Sequence, residues 1–304
     1  MSGADAAPAG SVPVGRGTAR WLPSIFVLPL CIALALAFLW PLIDGTINSF
    51  HPFTRAGIDR ESWTLANYAK LWDSFYAGIL MRTIRVSLIV TLLTAALAYP
   101  VALYIVRLSP RVQAIYLLIY MTPWLVNVVV KAFGWTLLLG NRGVINNVLQ
   151  GLGITDSPLR LMLNETGIVI GLTHGHFIFV LLPLWAALGG LDPNLRWAAA
   201  NLGARAWDIF RRVTLPLTLP ALVAGLIINF TMNMTAFATP ALLGGARARV
   251  VSFLAYETNL VDLNWPLGSA MAVAMLAISL LLVWLSQRAA ASGSRRVMFE
   301  GAAR

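Results

Sequence analysis

Long apolar runs alternate with shorter polar stretches along the chain, and the run lengths set the first expectation. Residues 21–43, WLPSIFVLPLCIALALAFLWPLI, form the first run. A bilayer core needs about 20 apolar residues in a helix. Five further runs of comparable length follow at about 86–106, 113–139, 167–190, 217–240 and 265–287. Inside hydrocarbon a lone segment satisfies its own backbone only as a helix. The pattern therefore predicts an all-α membrane protein with six transmembrane helices. A cleaved signal peptide has a shorter apolar core, about 7–15 residues, and a small-residue cleavage site. The first run ends instead in Leu39, Trp40 and Pro41, so it reads as a retained span, with Trp21 and Trp40 suited to the two interfaces.

The polar intervals carry their own local signals. Residues 1–20 are Gly-, Ala-, Pro- and Ser-rich with Arg16 and Arg20, and read as a disordered cytoplasmic lead-in. Residues 44–85 read as an outer segment, helical towards its end. Pro100 is expected to kink the second span. Residues 140–165 form an outer loop turning at Asn141-Arg142-Gly143, and 291–304 a cytoplasmic tail. The interval 191–220, LDPNLRWAAANLGARAWDIFRRVTLPLTLP, is long, charged and helix-capable. Asp192 is a good N-cap and Pro193 fits the first helical position. Ala198, Ala199 and Ala200 favour helix, and Gly203 stands where a glycine ends one. Residues 206–213 fit a second short helix bearing Arg205, Arg211 and Arg212. Leu215-Pro216 and Leu219-Pro220 are expected to break or redirect the chain into the fifth span. Two roles fit these residues: an interfacial loop with arginines on anionic lipid, or a docking element.

Composition agrees with the run lengths. Of 304 residues 59% are hydrophobic and 11% charged, against about 25% charged in soluble domains. Mean hydropathy is +0.76. The net charge of +10 does not indicate nucleic acid, because the basic residues are spread between apolar runs instead of forming one patch. They do indicate topology. Arginines 16, 20, 107, 111, 196, 205, 211, 212, 288, 295, 296 and 304 all fall in alternate intervals, with only four acids. The other intervals hold nearly balanced charge. By the positive-inside rule both termini are cytoplasmic, and the 191–216 interval lies inside. Cys31 is alone, and His51, His174 and His176 have no Cys or carboxylate at ligand spacing, so neither metal nor cofactor is expected.

The chain has no Gly-x-x-x-x-Gly-Lys-Ser/Thr loop to cradle ATP phosphates. The six runs hold no Asp or Glu, although a gradient-driven carrier usually needs buried acids. Both facts favour a separate ATPase over ion coupling. Lys131 is the one charge within a run; it faces protein or a water-filled cavity, either structurally held or gating a pathway. Asn229, Thr231, Asn233 and Thr235 form a polar series in the fifth run. Asn229 and Asn233 share a face, and either line a pathway or bond between helices. Tyr120, Trp124, Phe133, Trp135 and Trp185 offer ring faces to an amine, or serve as packing and interface residues.

The 191–220 interval also resembles the signature loop of ABC-importer permeases, the binding-protein-dependent inner-membrane components. That loop reads Glu-Ala-Ala, then Gly, then Ile-x-Leu-Pro. Ala198, Ala199, Gly203 and Val213-Thr214-Leu215-Pro216 match it, while Trp197 stands at the glutamate position. The resemblance implies the type I importer permease fold over about residues 22–287. It also implies an ATPase-docking loop at 191–216, with Trp197, Ala198, Ala199, Gly203, Ala204, Arg205, Leu215 and Pro216 as its residues. Three stretches are similar to the spermidine/putrescine branch: Lys131–Trp135 after Pro123, Asn141–Asn147, and Phe237–Gly245 with Asn264–Ala270. That branch implies import of polyamines or related small amines across a bacterial inner membrane. The implied partners are two ATP-binding cassette subunits, a second permease (like or unlike) and a periplasmic binding protein, all around the lipid bilayer. Candidate pathway residues are Lys131, Trp135, Asn229, Asn233 and Thr235. Alternatives are an ion-gradient carrier, or an ABC permease for an opine or amino-acid-like solute.

Overall fold

The computed structural model describes residues 22–55 and 57–302, and their side chains except at 22–26, 246, 286 and 289–302. The expected disordered lead-in, 1–20, lies outside the described residues, as do Arg304 and the side chains of Arg295 and Arg296. The chain divides into two compact units, one ending at Ile47 and one starting at Asn48. The described part of the first is helix α1, Leu22–Asn48, except for its last residue. At about 1.5 Å per residue it is long enough to cross a bilayer. Its described apolar side chains, from Val27 to Ile43, are exposed along its length.

The second unit begins with a short structured segment that becomes helical towards its end. Strands β1 (Phe53–Thr54) and β2 (Gly57–Ile58) pair antiparallel. Helix α2 is Ala66–Lys70. Buried Asn67 donates to the carbonyls of Ser49 (2.9 Å) and His51 (2.8 Å), and His51 Nδ1 lies 2.8 Å from the Ser62 carbonyl. These bonds satisfy backbone groups that this irregular stretch leaves unpaired. At the hairpin, hydrogen bonds from the Ser62 side chain and the Glu61 amide hold the Asp59 carboxyl below the ordinary carboxylate range.

Helix α3, Ser74–Ile105, is the axis of this unit. The Asp73 side chain caps it through the Ser74 amide. Its 32 residues extend roughly 48 Å, more than the ~30 Å of hydrocarbon. The helix therefore starts twelve positions before the apolar run at 86–106. The added part carries Arg82 and Arg85, both paired with Glu165 at 3.2 and 2.6 Å. Pro100 lies inside α3 without ending it.

Three buried clusters line α3 in turn. Ile79 packs with Val251 and Leu254 of α12 (Val251–Leu260) and with Leu267, Met271 and Met275 of α13 (Trp265–Ala302). Val86 and Val90 meet Ile168 and Leu172 of α7 (Glu165–His176). Ala98, Ala102 and Ile105 meet Ile178, Leu181, Leu184 and Leu188 of α8 (Ile178–Gly189). Helix α11, Leu215–Thr235, packs against α8 and α3. Gly225 permits the close α11–α8 approach: a Cβ there would stand 3.1 Å from both the Phe179 carbonyl oxygen and the Val180 Cα.

Several helices are broken where a single run was expected. The 113–139 run divides into α4 (Pro110–Leu125) and α5 (Val128–Leu139). Val126 and Asn127 are extended, and the Asn127 side chain caps α5 through the Val129 amide at 2.8 Å. Pro123 weakens the last turn of α4 by removing one backbone donor. Helix α6, Val144–Gly151, follows, and α5 with α6 makes the apolar stretch Val128–Gly151. Helices α7 and α8 bend by 41° at Phe177. Among the described residues five helices are long and apolar enough to cross a membrane, or six when this bent pair counts as one span.

Candidate functional site

The 191–220 interval folds as a capped helix and an elbow. Helix α9 is Pro193–Asn201, with the Asp192 carboxylate accepting the Asn194 amide at 2.9 Å and proline in the first turn. Gly203 has φ +82°, open to glycine and strained for other residues. The Ala204 amide donates to the Ala199 carbonyl (3.1 Å) and the Gly203 amide to that of Ala200 (2.9 Å). This pair of bonds is a Schellman cap, which satisfies the last carbonyls of α9 and turns the chain sharply. Arg205, exposed, sits at the cap position of α10 (Ala206–Ile209).

The expected proline break does not occur. After α10 the chain makes one wide π-helical turn, Phe210–Thr214, and continues into α11 with Pro216 in its first turn and Pro220 inside it. The ring of Pro216 would press on the carbonyl four residues back in a regular helix. The widened turn immediately before it removes that clash and keeps one continuous helical path, Ala206–Thr235. Leu215 is half-buried against the α3–α8 cluster, and Pro216 is exposed.

The elbow displays large apolar side chains beside arginines. Leu202 is 89% exposed, Trp197 68% and Trp207 67%. Ala198 is exposed and Ala199 half-buried. A groove of about 910 Å³ runs between α9, α10 and the ends of α3 and α8, lined among others by Arg107, Arg196, Trp197 and Trp207. A second cleft of about 390 Å³ is lined among others by Ala199, Gly203, Ala204 and Arg212. Exposed apolar surface of this kind occurs at protein–protein and membrane interfaces.

Far along the chain from this elbow, a buried polar centre joins three helices. Asn229 Nδ2 donates to the His176 carbonyl at 3.0 Å. Asn229 Oδ1 accepts from Asn233 Nδ2 (2.7 Å) and from the Thr91 hydroxyl (3.2 Å). Asn233 Oδ1 meets His176 Nδ1 at 2.7 Å. Asn229 is fully buried and Asn233 nearly so. Of the two roles open to these asparagines, the bonds between helices are the one present. Thr91 was not singled out from the sequence, yet Thr83, Ser87 and Thr91 recur every four residues and are all buried, a polar stripe on one face of α3. Thr235 is exposed and donates only to the Thr231 and Met232 carbonyls of its own helix.

Lys131, on α5, is half-buried, and forms no ion pair among the described residues. It lies over α7: a Cβ at Gly175 would be 3.6 Å from its Nζ. Trp135, one turn on, meets the His174 ring edge-on at 5.3 Å. Lys131, Trp135 and His174 are thus together over α7. Among the rings noted in the sequence, Trp185 bonds Gln113 (2.8 Å), Tyr120 packs on Phe177 and Trp124 on Phe179, so these three hold α4 to α8 and to the bend before it. A ring group missed there is Phe237, Phe253 and Tyr256.

A bundle of broken apolar helices around neutral polar groups, with an exposed capped elbow, is a membrane permease in class. The comparisons with known proteins specify it further. The chain belongs to the family of binding-protein-dependent transport system inner membrane components, whose match spans residues 18–292. It is the permease subunit of an ABC importer. It is 31% identical over 280 residues to the spermidine/putrescine transport system permease protein PotB of Haemophilus influenzae, covering 92% of this chain and 94% of the relative. The PotB of Escherichia coli K12 is 30% identical over 250 residues, 81% of this chain and 90% of the relative. In structure the chain is similar to a bacterial alginate ABC transporter solved with an alginate-pentasaccharide-bound periplasmic protein. The TM-score is 0.74 at 21% identity, covering 91% and 95% of the two chains. The MetNI methionine ABC transporter matches with TM-score 0.52 at 17% identity, covering 73% of this chain and 99% of that one.

Proposed function

We propose that this permease imports polyamines or related small amines and is driven through the 191–216 elbow by ATPase subunits on the cytoplasmic side. A second permease completes the pathway, and a periplasmic binding protein delivers the solute. The observation that carries the coupling role is the Schellman-capped helix α9, which holds Leu202 and Trp197 out from the bundle beside two clefts. The family's glutamate position is Trp197. Docking here therefore uses shape, apolar contact and Arg196, Arg205 and Arg212, not a carboxylate at that position. Closure of the ATPases would move α9 and α10 together. The continuous helix from Ala206 to Thr235 would pass that movement to the polar centre at Asn229 and Asn233. The amine substrate is supported by the PotB relatives at 30–31% identity over most of the chain.

The test uses the assembled transporter in proteoliposomes. Leu202→Asp leaves the fold untouched, since the side chain is exposed, and is expected to uncouple ATP turnover from binding-protein stimulation. Gly203→Val is expected to do the same by opening the cap. Coupling and assembly retained in both variants would remove the docking role. Uptake of radiolabelled putrescine and spermidine tests the substrate. A second substrate reading has one observation in its favour: Lys131, without an acidic partner among the described residues, suits the carboxylate of an opine or amino-acid-like solute better than a polycation.

A further inference from the structure

Beyond the end of α11 the chain opens, and three rings gather there. Ala236 is extended and ends the helix. Phe237 lies 4.8 Å from Tyr256 and 6.1 Å from Phe253 between ring centroids, and Phe253 stacks on Tyr256 at 6.4 Å with planes 14° apart. The Ser252 hydroxyl donates to the Ala236 carbonyl at 2.6 Å and fixes α12 to this break. The group is not closed core: Phe237 is 37% exposed and Tyr256 43%. No hydrogen bond engages the Tyr256 hydroxyl among the described residues. Phe253, Tyr256 and Glu257 are three and four positions apart, so they share one face of α12.

The charges nearby match this arrangement. Glu165 is held by two arginines, with both oxygens 2.6 Å from Arg85. Glu257 is held more loosely: among the described residues its ion pair is Arg249 Nε at 3.4 Å, and that nitrogen makes no hydrogen bond there. The helices from α3 to α8 carry no acid other than Glu165. An ammonium in this bundle therefore has ring faces and carbonyl oxygens as its electronegative surface, with Glu257 a carboxylate held less tightly than Glu165. Ring faces attract such a cation within about 6 Å of their centroids.

We infer that Phe237, Phe253 and Tyr256, with Glu257 at their edge, form a binding site for an organic ammonium group. This rests on the reading of the chain as an amine permease. The site takes one alkylammonium against the open faces of Phe237 and Tyr256. The site is selective for charge and not for chain length, because ring faces carry no directional donor.

The experiment places 3-fluorotyrosine at position 256 of the assembled transporter in nanodiscs and follows its ¹⁹F resonance. Putrescine and, separately, tetramethylammonium are titrated. Both are expected to give a saturable shift, weakened about fivefold or more in Phe253→Leu and Phe237→Leu. A resonance unmoved by either cation overturns the site, as does a shift that both variants leave unchanged. Putrescine uptake by the same preparation separates this from the substrate reading. Uptake with a silent resonance removes the ring site alone, and a tetramethylammonium shift without polyamine uptake removes the polyamine reading alone. Loss of co-purification with the second permease in Tyr256→Leu, with a silent wild-type resonance, assigns the rings to the subunit interface and also overturns the site.

Discussion

Replacing Asn229 by leucine removes the residue on which the three-helix polar centre turns. Asn229 makes one bond as donor, to the His176 carbonyl, and two as acceptor, from Asn233 and Thr91. The losses are not equal. The Thr91 hydroxyl also reaches the Ser87 carbonyl at 2.7 Å and keeps that partner. The Asn233 amide retains only a long contact to Thr91 at 3.3 Å, and the His176 carbonyl loses this side-chain donor. In a soluble core each orphaned group costs about 1–3 kcal/mol. In a membrane bundle interhelical bonds average about 0.6 kcal/mol, with a maximum near 1.7, because the separated helices also find partners. The membrane value is the appropriate one here; Asn233 lies on the same helix as Asn229, so two of the three bonds cross between helices and together total about 1.2 kcal/mol. That is roughly an eightfold change in the folded ratio. Refolding from sodium dodecyl sulfate in mixed micelles, followed by tryptophan fluorescence, measures it. Thr235→Val is the control, since its hydroxyl bonds only within its own helix. Should Asn229→Leu fall within about 0.5 kcal/mol of wild type, or cost no more than the control, the centre does not hold the helices together.

Gly225→Val is expected to cost about 1–3 kcal/mol, since the added carbons meet the backbone of Phe179 and Val180 and not a flexible side chain; the same refolding assay reads it. Glu165→Gln releases Arg82 and Arg85, both partly exposed, so a loss under about 1 kcal/mol at low salt that vanishes at high salt is expected from paired titrations. Lys131→Ala is expected to lower KM for a cationic substrate in proteoliposome uptake by removing a repulsive charge; a raised KM would instead favour the carboxylate-bearing solute.

Much of this was legible along the chain because it is local. Run lengths, the Asp192-Pro193 start of α9 and its Gly203 end depend on residues within one or two turns, and covalent neighbours impose them. Three things depended on packing. The 113–139 run reads as one span by hydropathy, yet Asn127 caps a second helix inside it, since a cap bond competes with apolar continuity only when the chain can bend there. Leu215-Pro216 reads as a break, but the π-helical turn just before it absorbs the ring and keeps the helix running. The partners of Asn229 and Asn233 lie more than fifty and up to 142 positions away, and hydropathy periodicity has no term for such pairings.

The sequence by itself determined that this is a helical membrane protein with a capped, arginine-bearing elbow between two apolar runs. These features rest on transfer free energy and backbone geometry, and both act residue by residue. Only the tertiary structure decided which polar groups meet at the centre, that Trp197 and Leu202 stand free, and that Phe237 faces Tyr256 across the α11 break. Those depend on where helices distant in sequence cross, a property of packed pairs that no single stretch encodes.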